Sequence, residues 1–445
     1  MSPATHPTAP DTAPSIQVEP MSAPIDTARA IHLTGFAPGV EVALVATLRD
    51  NLGAAWRSHA RFRTDAAGTV DLARDTPLAG TWQSPSPMAV VWSMQPDPAQ
   101  DGPAIGPVDP LTVRLTVDGP GGQAEASFEQ TFIAPGVGRT ELRDDGFVGT
   151  LFTPAGEGPH PVVVVLAGSG GGLMEARAAL YAEHGYTALA LGYFGAPGLP
   201  PRISGTRLEY FEAALAWVHR VLTPAHGFVA LSGVSRGGEL SLLLASTFPQ
   251  AVSAVVAYVP SPFTHGVLNA GAPGEDRHAP AWLWRDKPLP VLSRDNTRAR
   301  WALFDEAAPP RRQTPAFLTA LEDAQASARA LIPLERIAGP MLLISGADDA
   351  LWPSARFSEI AAEHLARLQH PFVVRHLDYA DAGHSIGYPY VPTTVVSRPH
   401  AVSGIELAYG GTAEGNARAG EQSWRAVLQF LAEAVRDVRA RKPAT

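Results

Sequence analysis

Cysteine is absent from this chain of 445 residues. Disulfides, thiolate-ligated zinc and cysteine nucleophiles are thereby excluded together, although no redox compartment is fixed. Positive charge is also in short supply: 34 Lys and Arg stand against 43 Asp and Glu, a formal net charge of -9. Neutralising nucleic-acid phosphates takes a concentrated basic face, so nucleic acid is not an expected partner. Long hydrophobic runs are missing too, since no segment offers the roughly 18 unbroken apolar residues of a membrane helix. The opening stretch MSPATHPTAPDTAPSIQVEPMSAPI holds no Lys or Arg and no apolar core of a signal peptide. A soluble, cytoplasmic protein without a membrane span is expected, and nothing sets its oligomeric state.

What is present is apolar: 45% of residues are hydrophobic and 17% charged, enough for a large core divided among two to three domains. Residues 1–14 are rich in Pro, Thr and Ala without hydrophobic period, as in a disordered leader. From 15 to 135 come short β-type runs: ARAIHLTGF, EVALVATL, MAVVWSM, LTVRLTV and ASFEQTFI. In LTVRLTV, Leu111, Val113 and Leu115 alternate with Thr112, Arg114 and Thr116, the pattern of a half-buried strand. An antiparallel, immunoglobulin-like β-sandwich is predicted there. From 136 to 445 apolar runs alternate with helical patterns. PVVVVLAG, YTALALGYF, GFVALSG, AVVAYVP, MLLISGA and FVVRHLDYA are separated by segments such as MEARAALYAEHG, LEYFEAALAWVHRVL and WPSARFSEIAAEHLARLQ, with a last helix at roughly 419–441. That alternation predicts an α/β domain: a mostly parallel, doubly wound sheet covered on both faces.

In such a sheet, chemistry gathers at the carboxyl ends of the strands. Two glycine knots fall there, LAGSGGG at 166–172 and SGVSRGG at 232–238. The first is not a dinucleotide loop. Gly168 and Gly170 are followed by Leu173 where the pattern needs a small residue, and no acidic residue follows the next strand. The second contains Gly233-Val234-Ser235-Arg236-Gly237, a G-x-S-x-G in which the central serine occupies a strained turn between strand and helix. The alternatives are a nucleophile and a plain tight turn, and the strand before and helix after favour the nucleophile.

A serine nucleophile needs a base, and the base an acid. In hydrolases with this elbow the chain order is Ser, then Asp or Glu, then His. Asp348 and Asp349 follow MLLISGA, and His384 follows FVVRHLDYA, each just past a strand end. Asp349 is preferred as the acid, four residues before the helix-opening Pro353, and Asp348 is expected to cap that helix. The oxyanion requires two backbone donors. Arg236 N–H is one, and Ser169 or Gly170 in the first knot is expected to supply the other. No metal or redox cofactor is needed.

With these residues in place, the chain resembles the acyl-CoA thioesterase and bile acid-CoA:amino acid N-acyltransferase family, from about residue 15 to 440. The resemblance is carried by HLTGFAPGVEVALVATLRDNLGAAWRSHARFRTDAAGTVDL and PMAVVWSMQP early on, and by GGGLMEARAALYAEHGYTALALGYFG, GVSRGGEL and GHSIGYPYVP later. It implies a β-sandwich followed by an α/β-hydrolase domain, with Ser235 as nucleophile, Asp349 as acid and His384 as base. Members that transfer acyl groups to amino acids tend to carry cysteine at the elbow and thioesterases serine, so Ser235 implies hydrolysis of an acyl-CoA. The competing readings are an acyl-CoA:amino acid N-acyltransferase, a carboxylesterase or lactonase on oxygen esters, and an inactive scaffold.

The departure from the family is the stretch 263–331, longer and richer in Pro and Arg. Lying between AVVAYVP and MLLISGA, it is expected to form a lid. Trp282, Trp284 and Trp301 are expected to offer apolar surface to an acyl chain, and Arg311 and Arg312 planar donors to the phosphates of CoA.

Overall fold

The computed structural model describes residues 13–143 and 146–441, so the expected leader lies outside the described residues except for Ala13 and Pro14. The chain divides into two compact units. One runs through Ile133 and also takes in Tyr388–Val395; the other holds Ala134–Gly387 and the chain from Val396 onward. The division falls at 133/134, two residues before the expected 135/136, and it is broken by a short excursion just after His384. Within the first unit the excursion is tied by side-chain and backbone hydrogen bonds. Gln130 Nε2 donates to Tyr390 O at 3.0 Å, and Thr393 N donates to Trp92 O at 3.0 Å.

The first unit is a β-sandwich. A three-stranded sheet joins Ser15–Glu19, Ala30–Thr34 and Val70–Asp71, and a larger sheet is built on Gly122–Thr131, Leu111–Gly119, Glu41–Arg49 and Ala55–Arg63. Leu111, Val113 and Leu115 are buried while Thr112 and Arg114 are exposed, as their alternation demands. The run MAVVWSM is not a strand: Ala89–Trp92 is one turn of helix, buried throughout. A short, wholly apolar run carries no period that separates strand from helix, and burial on all sides permits either. The strand Ala55–Arg63 hides the opposite way, its exposed arginines masking an alternation that buries Ala60 and Phe62.

The second unit is the α/β-hydrolase fold. Its eight-stranded sheet comprises β1 (Gly138–Leu142), β2 (Val148–Thr153), β3 (Val162–Leu166), β4 (Thr187–Gly192), β5 (Val229–Val234), β6 (Ala254–Tyr258), β7 (Met341–Gly346) and β8 (Val374–Tyr379). The spatial order is β1-β2-β4-β3-β5-β6-β7-β8, with β1 and β2 antiparallel and the strands from β4 onward parallel. The antiparallel pair β1–β2 gave no clear sequence signal because its residues are mixed and short.

The strands β3 and β5 read as continuous apolar runs because both their faces are covered: Val162–Leu166 and Val229–Leu231 are at most 1% exposed. Each such side chain contributes about 1.5–3 kcal/mol on burial. The covering helices are α1 (Glu175–Glu183), α2 (Leu208–Trp217), α3 (Arg236–Thr247), α4 (Ser354–Arg367) and α5 (Ala413–Arg441). In α5, Trp424, Val427, Leu431 and Ala434 form the buried stripe that the helical period requires. The helix begins six residues before the expected start, where Thr412 Oγ1 accepts from Gly415 N at 2.9 Å. Among the described residues no helix is long and apolar enough to cross a membrane.

Candidate active site

Strand β5 hands over to α3 at Ser235, whose φ of +57° and ψ of -116° are rarely adopted by a residue with a side chain. The flanking glycines make that turn possible. A Cβ on Gly233 would stand 1.9 Å from Gly237 O, and one on Gly237 would stand 2.4 Å from Leu166 O at the end of β3. So Gly233 is required by the elbow itself, whereas Gly237 is required by the neighbouring strand. Ser235 N donates to Tyr258 O at 2.8 Å, anchoring the turn to β6.

Asp349 follows β7 and His384 follows β8. Asp349 Oδ2 accepts from His384 Nδ1 at 2.8 Å, and both side chains are at most 5% exposed. The other carboxylate oxygen, Oδ1, accepts from Leu351 N at 2.9 Å and Trp352 N at 3.2 Å. Asp348 points elsewhere, half exposed, taking Arg312 at 3.0 Å and Gly411 N at 3.0 Å. The expectation that Asp348 caps the following helix is therefore corrected: Asp349 takes the loop's free N–H groups as well as the imidazole. His384 Nε2 is buried and, among the described residues, has no hydrogen-bond partner. Its ring lies 5.8 Å from Trp352, and Trp352 lines a small cavity together with Ser235, Ser169 and Arg236.

The first glycine knot borders that cavity. A Cβ on Gly168 would come within 3.4 Å of Ser235 Cβ, so this loop runs against the elbow. Among the described residues nothing accepts a hydrogen bond from the N–H of Ser169, Gly170 or Arg236. The cavity thus joins free backbone donors to a strained serine, and Trp352 in its wall packs against the buried imidazole that Asp349 orients. Ser235 Oγ and His384 Nε2 are not hydrogen-bonded to each other.

Sequence reasoning missed what lies beneath the elbow. The Arg236 side chain is 1% exposed and Nη1 donates to Glu239 Oε2 at 2.7 Å, while Nη2 donates to Gly266 O at 2.6 Å. Glu239 Oε1 accepts from Trp282 Nε1 at 2.8 Å and from His265 N at 3.1 Å. Burial pushes the Glu239 carboxyl up, opposed by the Arg236 charge, and burial holds His265 well below the usual imidazole range. The spacing of Arg236 and Glu239 on an otherwise apolar helix was a signal available in the sequence.

The expected substrate residues scatter. Trp282 is 1% exposed within the main core, and Trp284 packs edge-on against Phe248, so neither lines the cavity beside Ser235. Trp301 packs with Phe304 and Phe317 in a second core that the insertion shares with Trp352, Phe357 and Leu407. Their size is spent filling these two cores, and the ends of the insertion meet in a bridge between Phe263 and Leu331. Arg311 lines a neighbouring cavity of about 410 Å3 with Arg202 and Arg277. That cavity shares Leu268, Asn269 and Gln313 with the one at Ser235. Arg312 is turned away to Asp348.

Comparison with known proteins gives two family matches. The acyl-CoA thioester hydrolase/BAAT N-terminal region matches residues 26–144, and the BAAT/acyl-CoA thioester hydrolase C-terminal region matches 206–437. Acyl-coenzyme A thioesterase 6 of Mus musculus is 34% identical over 429 residues, covering 94% of this chain and 96% of that protein. Peroxisomal succinyl-coenzyme A thioesterase of Mus musculus is 32% identical over 94% of this chain and 96% of its own length. The mitochondrial acyl-coenzyme A thioesterase 2 of Rattus norvegicus is 32% identical, covering 91% and 86% respectively.

Proposed function

The chain belongs to the BAAT/acyl-CoA thioester hydrolase family and is a hydrolase, and from that premise we propose that it cleaves the thioester of an acyl-CoA through Ser235, His384 and Asp349. Ser235 Oγ attacks the thioester carbonyl as its proton passes to His384 Nε2. The carbonyl oxygen becomes an oxyanion, received by the N–H groups of Arg236 and the Ser169–Gly170 loop. Collapse breaks the carbon–sulfur bond, and the CoA sulfur leaves with the proton from His384. Water, deprotonated by His384, attacks the acyl-serine. The second collapse returns that proton to Ser235 Oγ and frees the carboxylic acid. Asp349 holds the imidazole with Nδ1 protonated, leaving Nε2 to accept.

The observation that carries this reading is the buried His384–Asp349 pair at 2.8 Å with His384 Nε2 left without a partner among the described residues. A buried acceptor without a donor is costly unless something arrives to use it. Serine at the elbow supports water, rather than an amine, as the acyl acceptor. The test is labelling with a fluorophosphonate together with hydrolysis of an acyl-CoA panel. Ser235→Ala should abolish both while its Tm stays close to wild type. Retained turnover in Ser235→Ala would remove the nucleophile and the reading with it.

A further inference from the structure

Among the polar side chains of the Ser235 cavity that the triad leaves unused, Ser169 alone borders it from the first glycine knot. Ser169 lines that cavity, and its Oγ lies 2.9 Å from His400 Nε2. His400 is 3% exposed, in the turn between the short strands Ser397–Pro399 and Glu406–Ala408. The turn is braced by His400 N donating to Ile405 O and Gly404 N donating to His400 O, each at 2.8 Å.

The other ring nitrogen sets the direction of the bond to Ser169. His400 Nδ1 accepts from Val402 N at 3.3 Å and Ser403 N at 3.4 Å. A ring nitrogen that accepts carries no proton, so the proton of the neutral ring is on Nε2. Burial first, then the charges of Arg398 and Arg236, lower His400 to about 4, and the ring is neutral around pH 7. Nε2–H therefore donates to Ser169 Oγ. The hydroxyl keeps its own proton to give, and no described residue other than His400 bonds to it.

We propose that Ser169 is a catalytic residue whose hydroxyl donates to the oxyanion formed on the acyl carbonyl at Ser235, with His400 as the positioning residue that turns the hydroxyl proton into the cavity. The inference rests on the reading of Ser235 as nucleophile. No proton changes owner in this contact: Ser169 keeps its hydrogen while the oxyanion forms and collapses. A donor aimed at developing charge acts mainly in the transition state and adds little to ground-state binding. A neutral imidazole suits the task, because it donates from Nε2 yet cannot take the Ser169 proton on that nitrogen.

The experiment is steady-state kinetics on whichever of acetyl-, octanoyl- and palmitoyl-CoA turns over fastest. The variants are Ser169→Ala, Ser169→Thr, His400→Phe, His400→Gln and Ser169→Ala/His400→Phe, run beside Ser235→Ala. Ser169→Ala should lower kcat on the order of 100-fold with KM within about twofold of wild type, and Ser169→Thr should recover most of that loss. His400→Phe should fall with Ser169→Ala, and the double variant should be no worse than either alone. His400→Gln, which retains an N–H donor, should lie nearer wild type. Ser169→Ala removes a single oxygen, so its result stands even where a His400 variant fails to fold. A wild-type kcat in Ser169→Ala, or a raised KM with kcat unchanged, overturns the inference while leaving the triad in place. Undiminished turnover in Ser235→Ala overturns both.

Discussion

At the scale of single residues, two adjacent aspartates are given opposite tasks by about one turn of backbone. Asp349 is buried against His384 and binds two loop N–H groups, whereas Asp348 faces solvent and Arg312. Asp349→Asn should lower kcat by about 10³–10⁴, because an amide either flips the imidazole to the wrong tautomer or fails to stabilise its charge. Asp348→Asn removes one exposed ion pair and should leave kcat within about twofold, since such pairs contribute ~0–1 kcal/mol. Parallel kcat measurements decide it, and a larger loss in Asp348→Asn would move the acid one residue back. Ser235 and His384 were legible as candidates because Ser235 follows an apolar strand with a glycine two residues to either side, and His384 follows Gly383 just past a strand end. His400 was not legible: its meaning comes from Ser169, 231 positions away in the chain.

At the scale of elements, the elbow is a collision avoided. Gly233→Ala would press a methyl to 1.9 Å from Gly237 O. Since both atoms belong to the backbone of one tight turn, relief has to come from moving Ser235. The variant should lose fluorophosphonate labelling and several degrees of Tm, the cost exceeding about 2 kcal/mol. A Gly233→Ala protein with wild-type labelling and melting would show that the turn has slack. The insertion gives a second expectation, that its two neighbouring arginines act differently. Arg311 lines the cavity next to that of Ser235, and Arg312 is engaged by Asp348. Arg311→Glu should raise KM for acyl-CoA severalfold and weaken its salt dependence, with little effect on a p-nitrophenyl ester that carries no phosphate. Arg312→Glu should change neither substrate's KM comparably. Equal effects of Arg311→Glu on both substrates would remove the phosphate-binding role.

At the scale of the whole molecule, pH reaches stability through imidazoles kept neutral inside the second unit. His400 is lowered to about 4 and His265 lies well below its usual value, burial being the first cause for both. In the unfolded chain both titrate near 6.5. Between that value and each native one the unfolded state binds more protons, so stability falls as pH falls, by about 1.4 kcal/mol per pH unit for each histidine. Above about pH 7 this contribution is complete and flat. Tm should thus drop from pH 7.5 to pH 5.5, and His265→Gln should show a smaller drop than wild type. An identical pH dependence in the variant would take His265 out of the account.

By itself the sequence determined the fold class and the strand and helix alternation from β3 to β8 of the second unit, and it pointed to Ser235, Asp349 and His384 as candidates. All of these are carried by local signals: apolar period, glycine spacing, and the order of chemical groups past strand ends. Tertiary structure decided the rest, because it depends on which distant side chains meet. Ala89–Trp92 is a helical turn where its composition suggested a strand, since burial on every side removes the period. Trp282 fills the main core and Trp284 packs against it instead of lining a substrate cavity, because a large apolar ring is drawn to whichever interior the fold places over it. Arg311 and Arg312 part company because consecutive residues in an extended segment face opposite ways. The Arg236–Glu239 pair and the Ser169–His400 bond exist only where folding has excluded water, and no local pattern of residues records that exclusion.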